Sequence, residues 1–190
     1  MEKQLRVQGG TLLAAWPDML DPNFMHSVVL VCQHDDDGAY GLVTNQRTEF
    51  TIDELLPDQE SLEGCGFPVH LGGPVDHSTL QFVHSVPERV PDGMPIGDDL
   101  WLGGDFDALV EYLATERVRA ERSVRLFLGY SGWGAGQLDA ELATGSWLWA
   151  PPALEAVFGP VGESTWRRVV RRSGEAGEDL ENHPPDVSWN

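Results

Sequence analysis

Positive charge is what this sequence has least of. Lys and Arg together number 12 against 31 Asp and Glu, for a formal net charge of -19 over 190 residues. Nucleic-acid affinity comes largely from Lys and Arg neutralising phosphates, so direct DNA binding is disfavoured, and anionic membranes for the same reason. Arginine concentrates in two places, Arg167, Arg168, Arg171 and Arg172, and more loosely Arg117, Arg119, Arg122 and Arg125. Cysteine is scarce too: Cys32 and Cys65 form no CxxC pair, which points to a reducing compartment rather than a disulfide scaffold. No apolar run reaches the ~20 residues of a membrane span, and the first residues offer no signal-peptide core. A cytoplasmic protein without membrane attachment is expected.

What remains is enough for one domain. A chain of this length buries roughly 70% of its unfolded surface and needs no metal or disulfide to hold a core. The excess acid keeps such a protein soluble.

Strands are expected at Ser27 to Gln33 and Tyr40 to Asn45, joined by a hairpin in which Gly38 takes the turn. Further strands are expected at Val69 to Leu71, Leu80 to His84, Leu100 to Leu102, Ser123 to Tyr130 and in "SWLWAPP". Thr51 and Glu54 fit a capping box before a short helix. Asp105 caps a helix whose Phe106, Leu109, Val110, Leu113 and Ala114 share one face. Gln137 to Thr144 reads as a helix stopped by Gly145, and Pro152 as the first position of another that Gly159 closes. Ser164 to Arg172 is a last amphipathic helix capped by Ser164, while Pro87 to Gly97 is loop. Residues 1–172 form the domain; 173–190, with Glu175, Glu178, Asp179, Glu181 and Asp186 and no Lys or Arg, read as an acidic, poorly ordered tail in which only Trp189 is a candidate for docking. Many strand neighbours are joined too briefly for parallel crossovers, so the class is α+β with a mixed sheet.

The stretch "FLGYSGWGAGQLDAEL" (Phe127 to Leu142) looks most like a site. As a nucleophile elbow, G-x-S-x-G, it supplies Gly129 and Ser131 but puts Trp133 where the last glycine belongs. As a phosphate cradle it has Gly132, Gly134 and Gly136, but the third glycine of G-x-G-x-x-G falls on Gln137, and Asp139 and Glu141 oppose an anion. The plainer alternative is a tight corner with Trp133 packed on the sheet. The third is a binding site on the exposed parts of the same loop.

His70, His77 and His84 recur every seven residues, but "GGPV" forbids the helix that would align them, and on a strand an odd spacing points to opposite faces. No metal site is assigned. Cys32 sits in an apolar run as an inert thiol; Cys65, in "GCGF", is the better reactive candidate. Trp147 and Trp149 alternate onto one face, as core or as an interface.

Four segments together resemble the YqgE/AlgH family of bacterial proteins: Gly10 to Gln46, "HLGGPV" (His70 to Val75), "FVHS" (Phe82 to Ser85) and "LGYSGWGAGQLDAELATGSWLWAPP" (Leu128 to Pro152). The likeness runs through about Trp166. It implies one compact, cytosolic α+β domain whose mixed sheet curls into a partly barrel-like shape flanked by helices, and it implies no established reaction. Some members carry the label of transcriptional regulator, through a link to alginate production; with this charge, an indirect effect through another protein is physically easier. Asn45 is followed here by Gln46 and Arg47 where the family has a basic residue and proline, and "LQFVHS" replaces a glycine-containing approach to the histidine.

The expectation is a non-enzymatic binding or regulatory module for a protein or small molecule, using no cofactor. Its surface would gather the "HDDDG", "GGPV" and "GWGAGQ" loops: His34, Asn45, Gly72, Gly73, Pro74, His84, Gly132, Trp133, Gly134, Gly136 and Gln137. The alternative is a cofactor-free hydrolase or transferase using His34, His84 or Cys65 in a loop-lined pocket. No catalytic residue is assigned, and a symmetric homodimer is compatible with the sequence.

Overall fold

The computed structural model describes residues 7–174 and Leu180. In chain order the strands are β1 (Leu12–Ala15), β2 (Val28–Asp35), β3 (Gly38–Val43), β4 (Arg47–Thr51), β5 (Pro68–Leu71), β6 (Val75–His84), β7 (Met94–Gly97), β8 (Leu100–Leu102), β9 (Val124–Gly134) and β10 (Trp147–Ala150). The helices are α1 (Ile52–Leu55), α2 (Phe106–Thr115), α3 (Arg117–Ala120), α4 (Gln137–Ala143), α5 (Leu154–Phe158) and α6 (Glu163–Arg171).

One sheet runs β10-β1-β2-β3-β9-β6-β8-β7, with β4 and β5 attached beside β9. Every pairing is antiparallel except β5 with β9, which is parallel, so the expected α+β class and mixed sheet hold. The sheet curls far enough to bring Gly9 and Gly10, just ahead of β1, against Ile96 of β7; a Cβ on Gly9 would lie 2.8 Å from the Ile96 carbonyl. Among the described residues β10 and β7 end the path without pairing to each other, so the sheet is not closed into a barrel.

The pattern of burial explains the apolar runs. In β1, Leu12 and Ala14 face one core with α5 and α6, while Leu13 and Ala15 face a second with Trp133, Leu138 and Trp147. A strand covered on both faces needs no polar alternation. The third core lies under α2 and gathers Phe67, Val69, Leu109, Leu113 and Leu126. β9 joins all three, through Leu126, Phe127 and Trp133.

Several boundaries correct the sequence expectations. β9 does not stop at Tyr130 but continues through Gly134, pairing Gly38 with Gly134 and Gly41 with Ser131. Pro87 to Gly97 is not all loop, since β7 forms at its end against β8. α5 starts after Ala153, so Pro152 precedes the cap rather than opening the helix. Gly162, not Ser164, caps α6. Trp147 is core, but Trp149 remains 37% exposed at its margin. The Asp105 cap is as expected, its carboxylate accepting from the Ala108 amide at 2.8 Å. So is the Thr51–Glu54 box, in which Glu54 accepts from the Thr51 amide at 2.8 Å.

The expected acidic tail lies mostly outside the described residues, as does Trp189; Leu180 packs against the core that α5 and α6 cover.

Candidate functional site

The residues expected to form one surface lie in three places. The β2–β3 hairpin and the end of β9 do meet: His34, Asp35, Asp36, Gly136 and Asp139 line a cleft of about 190 Å³. There Nδ1 of His34 donates to the Val7 carbonyl at 2.9 Å, and Nε2 lies 3.4 Å from the Asp139 carboxylate. Gly132, Gly134 and Gln137 sit nearby as the strand end and the first residue of α4. Trp133 turns away from the cleft. It is buried, lies edge-on to Trp147 at 6.0 Å and stacks with Phe24 at 6.2 Å. Its indole donates to Glu141 at 2.9 Å, and the Trp147 indole to the same carboxylate oxygen at 2.8 Å.

Gly72 and Gly73 are buried against mid-β9. A Cβ on Gly72 would strike the Gly129 carbonyl, and one on Gly73 the backbone of Tyr130. They are packing glycines, with Pro74 exposed beside them. Ser131 is fully buried and donates to the Gly72 carbonyl at 3.2 Å, as a structural hydroxyl. Asn45 accepts from the Val28 amide at 2.8 Å and donates to the His26 carbonyl at 2.9 Å, pinning the ends of β2 and β3.

His84 lies elsewhere, fully buried beneath Trp101. Its Nδ1 accepts from the Val86 amide at 3.3 Å and its Nε2 donates to the Gly103 carbonyl at 3.0 Å. Both nitrogens are used by the neutral ring, and burial lowers the pKa. The two thiols also have raised pKa values through burial, Cys32 strongly. Cys65 is half-buried, its Sγ 3.7 Å from the Leu113 carbonyl, so it is less exposed and less acidic than expected. His34 and His84 lie on different strands, Cys65 lies in the segment before β5, and the three do not converge.

A larger recess, of about 440 Å³, was not expected. β4, β5, β9, α3 and α5 contribute Arg47, His70, Arg125, Arg117 and Phe158 to its walls, and the segments before β5 and after α3 add Phe67, Glu121 and Arg122, among others. Arg47 stands directly across from His70 in the β4–β5 pairing, and His70 beside Phe127 in the β5–β9 pairing. His70 is only 3% exposed, and neither ring nitrogen has a hydrogen-bond partner among the described residues. Burial first, then the charges of Arg125 and Arg47, push its pKa down to about 3, with the Leu126 backbone opposing weakly. The ring is therefore neutral at pH 7, its nitrogens closed to solvent and the Leu126 backbone the one polar group acting on them, without good hydrogen-bond geometry. Burying such a weakly partnered polar group costs up to ~1–3 kcal/mol.

The sequence marks "SVRLFLGY" as a strand and assigns Arg125 to neither of its faces. In the fold β9 is covered on both faces, and Arg125 is 5% exposed.

No helix among the described residues is long and apolar enough to cross a membrane. The AlgH-like family matches residues 12–177. A UPF0301 protein of Chlorobium limicola is 37% identical over 179 residues, covering 94% of each chain. One from Cytophaga hutchinsonii is 39% identical over 182 residues, covering 95% of this chain and 98% of that one. In structure, the AlgH protein of Pseudomonas aeruginosa aligns with a TM-score of 0.70 at 27% identity over 97% of this chain and 98% of its own. A Corynebacterium diphtheriae protein of the same fold gives 0.72 at 22% identity, covering 94% and 93%. With most of its length matched in both sequence and structure, the chain belongs to the AlgH-like family of UPF0301 proteins.

Proposed function

We propose that the protein is a non-enzymatic binding module whose site is the arginine-lined recess, and that any regulatory effect follows from the ligand held there. The observation that carries this is His70: a buried imidazole, neither nitrogen in a hydrogen bond of good geometry and neither open to solvent, standing behind the arginines of a recess large enough for a small molecule. Ligand sites are typically concave, ~300–1,000 Å³, with apolar walls and a few convergent polar groups. Phe67, Phe158, Pro68 and Pro160 supply the apolar wall here.

The separation of His34, His84 and Cys65 supports a binding role over a hydrolase or transferase, which needs a nucleophile and a base within hydrogen-bond reach. An indirect regulatory action fits the charge: Arg168 of α6 is paired with Glu155 at 3.0 Å, and the whole chain repels a polyanion.

The test is a thermal-shift screen against small metabolites of each charge class, run on the wild type and on His70→Asn. A compound at about 100 times its dissociation constant adds ~2.7 kcal/mol of stability. We expect at least one compound to raise the melting temperature of the wild type and to lose that effect in the variant. Stabilisation that persists unchanged in His70→Asn, or none with any compound, contradicts the proposal.

A further inference from the structure

The recess is basic in a protein that is otherwise strongly acidic. Four arginines, Arg47, Arg117, Arg122 and Arg125, share it with one carboxylate, Glu121. Glu121 is already taken by Arg117, at 3.2 Å. Arg117 also donates to the carbonyls of Cys65 and Gly66. Arg125 is buried, and its guanidinium donates to two neutral acceptors, the carbonyls of Thr44 at 2.8 Å and Gly159 at 2.7 Å. A guanidinium has five N–H groups, so donors remain. Burial, and then Arg47, lower its pKa to about 10, which still leaves it charged at neutral pH. The side chains of Arg47 and Arg122 make no hydrogen bond or ion pair among the described residues, the Arg122 amide alone donating, to the Arg119 carbonyl. A buried cation without a counter-charge is strongly unfavourable. Here the counter-charge is missing and the space for it is present.

We infer that the recess binds the phosphoryl group of a small organic phosphate, with the organic part lying against Phe67 and Phe158. This deepens the binding role proposed above and rests on it. Arginine forks match phosphate oxygens in pairs, and Arg47 and Arg122 are the pair with donors to spare at the mouth. The neutral His70 ring closes the inner wall, its nitrogens without open surface, and Arg125 supplies the fixed charge behind it. Several cations against one spent carboxylate favour a dianion over a single carboxylate. The net charge of -19 repels such a ligand at long range, but that field is screened beyond ~8 Å at physiological ionic strength. Inside the recess the arginines dominate.

The experiment is calorimetric titration of phenyl phosphate, benzoate and benzyl alcohol into the full chain and into Arg47→Ala, Arg122→Ala and His70→Asn. Both side chains are exposed and their guanidinium groups have no partner among the described residues, so truncating them leaves the fold intact, as circular dichroism checks. We expect phenyl phosphate to bind about tenfold or more tighter than benzoate, and each arginine variant to weaken it by about tenfold, the loss of one charge-assisted contact. Binding of phenyl phosphate must also weaken as salt rises. Phenyl phosphate binding equally well to wild type and both arginine variants overturns the inference, as does benzoate binding as tightly as phenyl phosphate. Benzyl alcohol binding in a His70-dependent way while phenyl phosphate does not bind leaves the recess a ligand site but rejects the phosphoryl group. Failure of all three probes rejects the phosphoryl group while a His70-dependent hit elsewhere in the metabolite screen keeps the site; with no such hit, both fall.

Discussion

His70 is the residue whose environment departs furthest from its ordinary preference. In the folded chain its pKa is held down to about 3, mainly by burial, whereas an unfolded imidazole titrates near ~6.5. Between those values the unfolded chain binds a proton that the native chain does not. Stability therefore falls as pH drops from about 6.5 toward 3, and this one group contributes about 2 kcal/mol of loss by pH 5. His84 is shifted in the same direction, so removing His70 flattens the dependence without abolishing it. Urea denaturation at pH 7 and pH 5 checks this. The wild type should lose more stability than His70→Asn between the two, and equal losses would show that the ring titrates normally. The carboxylates lowered by hydrogen bonds, Asp35, Asp53 and Asp76, act only at lower pH and do not confuse this window.

At the scale of elements, the glycine stretch in β9 divides by position. Gly129 has φ +70°, and a Cβ there would lie 2.8 Å from the carbonyls of Gly73 and Val75. It sits where the β6–β9 register shifts, so the kink in β9 and the close approach of the β5–β6 turn are one feature. Gly132 is open by comparison, its nearest neighbour the Tyr130 ring edge at 3.4 Å. Gly129→Ala should cost about 2–4 kcal/mol through strain and clash, and Gly132→Ala less than about 1 kcal/mol. Denaturation midpoints of the two variants decide it; similar costs would mean that the kink is not where the strain lies. The elements most legible in the sequence were those with an unambiguous period or cap. The α2 stripe from Phe106 to Leu113 and the β2–β3 hairpin around Gly38 are examples. β4, "RTEFT", was missed because it is short, mostly exposed and carries no alternation. β7, "MPIG", was missed because proline and glycine read as loop, although an edge strand tolerates both.

On the scale of the whole molecule, the sequence made the α+β class and the AlgH-like kinship visible but hid the recess. Its walls come from β4, β5, β9, α3 and α5, so no local spacing joins Arg47, His70 and Arg125; only the parallel β5–β9 pairing and the β4–β5 pairing bring them together. The net charge conceals it further, since four arginines are lost in an acidic average. The hairpin cleft at His34 was legible because Gly38 and Gly134 lie near obvious turns, yet His34 already has acceptors at both ring nitrogens. The account thus makes His70, not His34, the histidine that meets a ligand. Ring nitrogen-15 shifts of all the histidines, recorded in the full chain with and without phenyl phosphate, test this most directly. The account predicts that the His70 nitrogens report a neutral ring near pH 6 and move on addition of the phosphate, while those of His34 and His84 stay in place. Movement of His34 with His70 unchanged would contradict it.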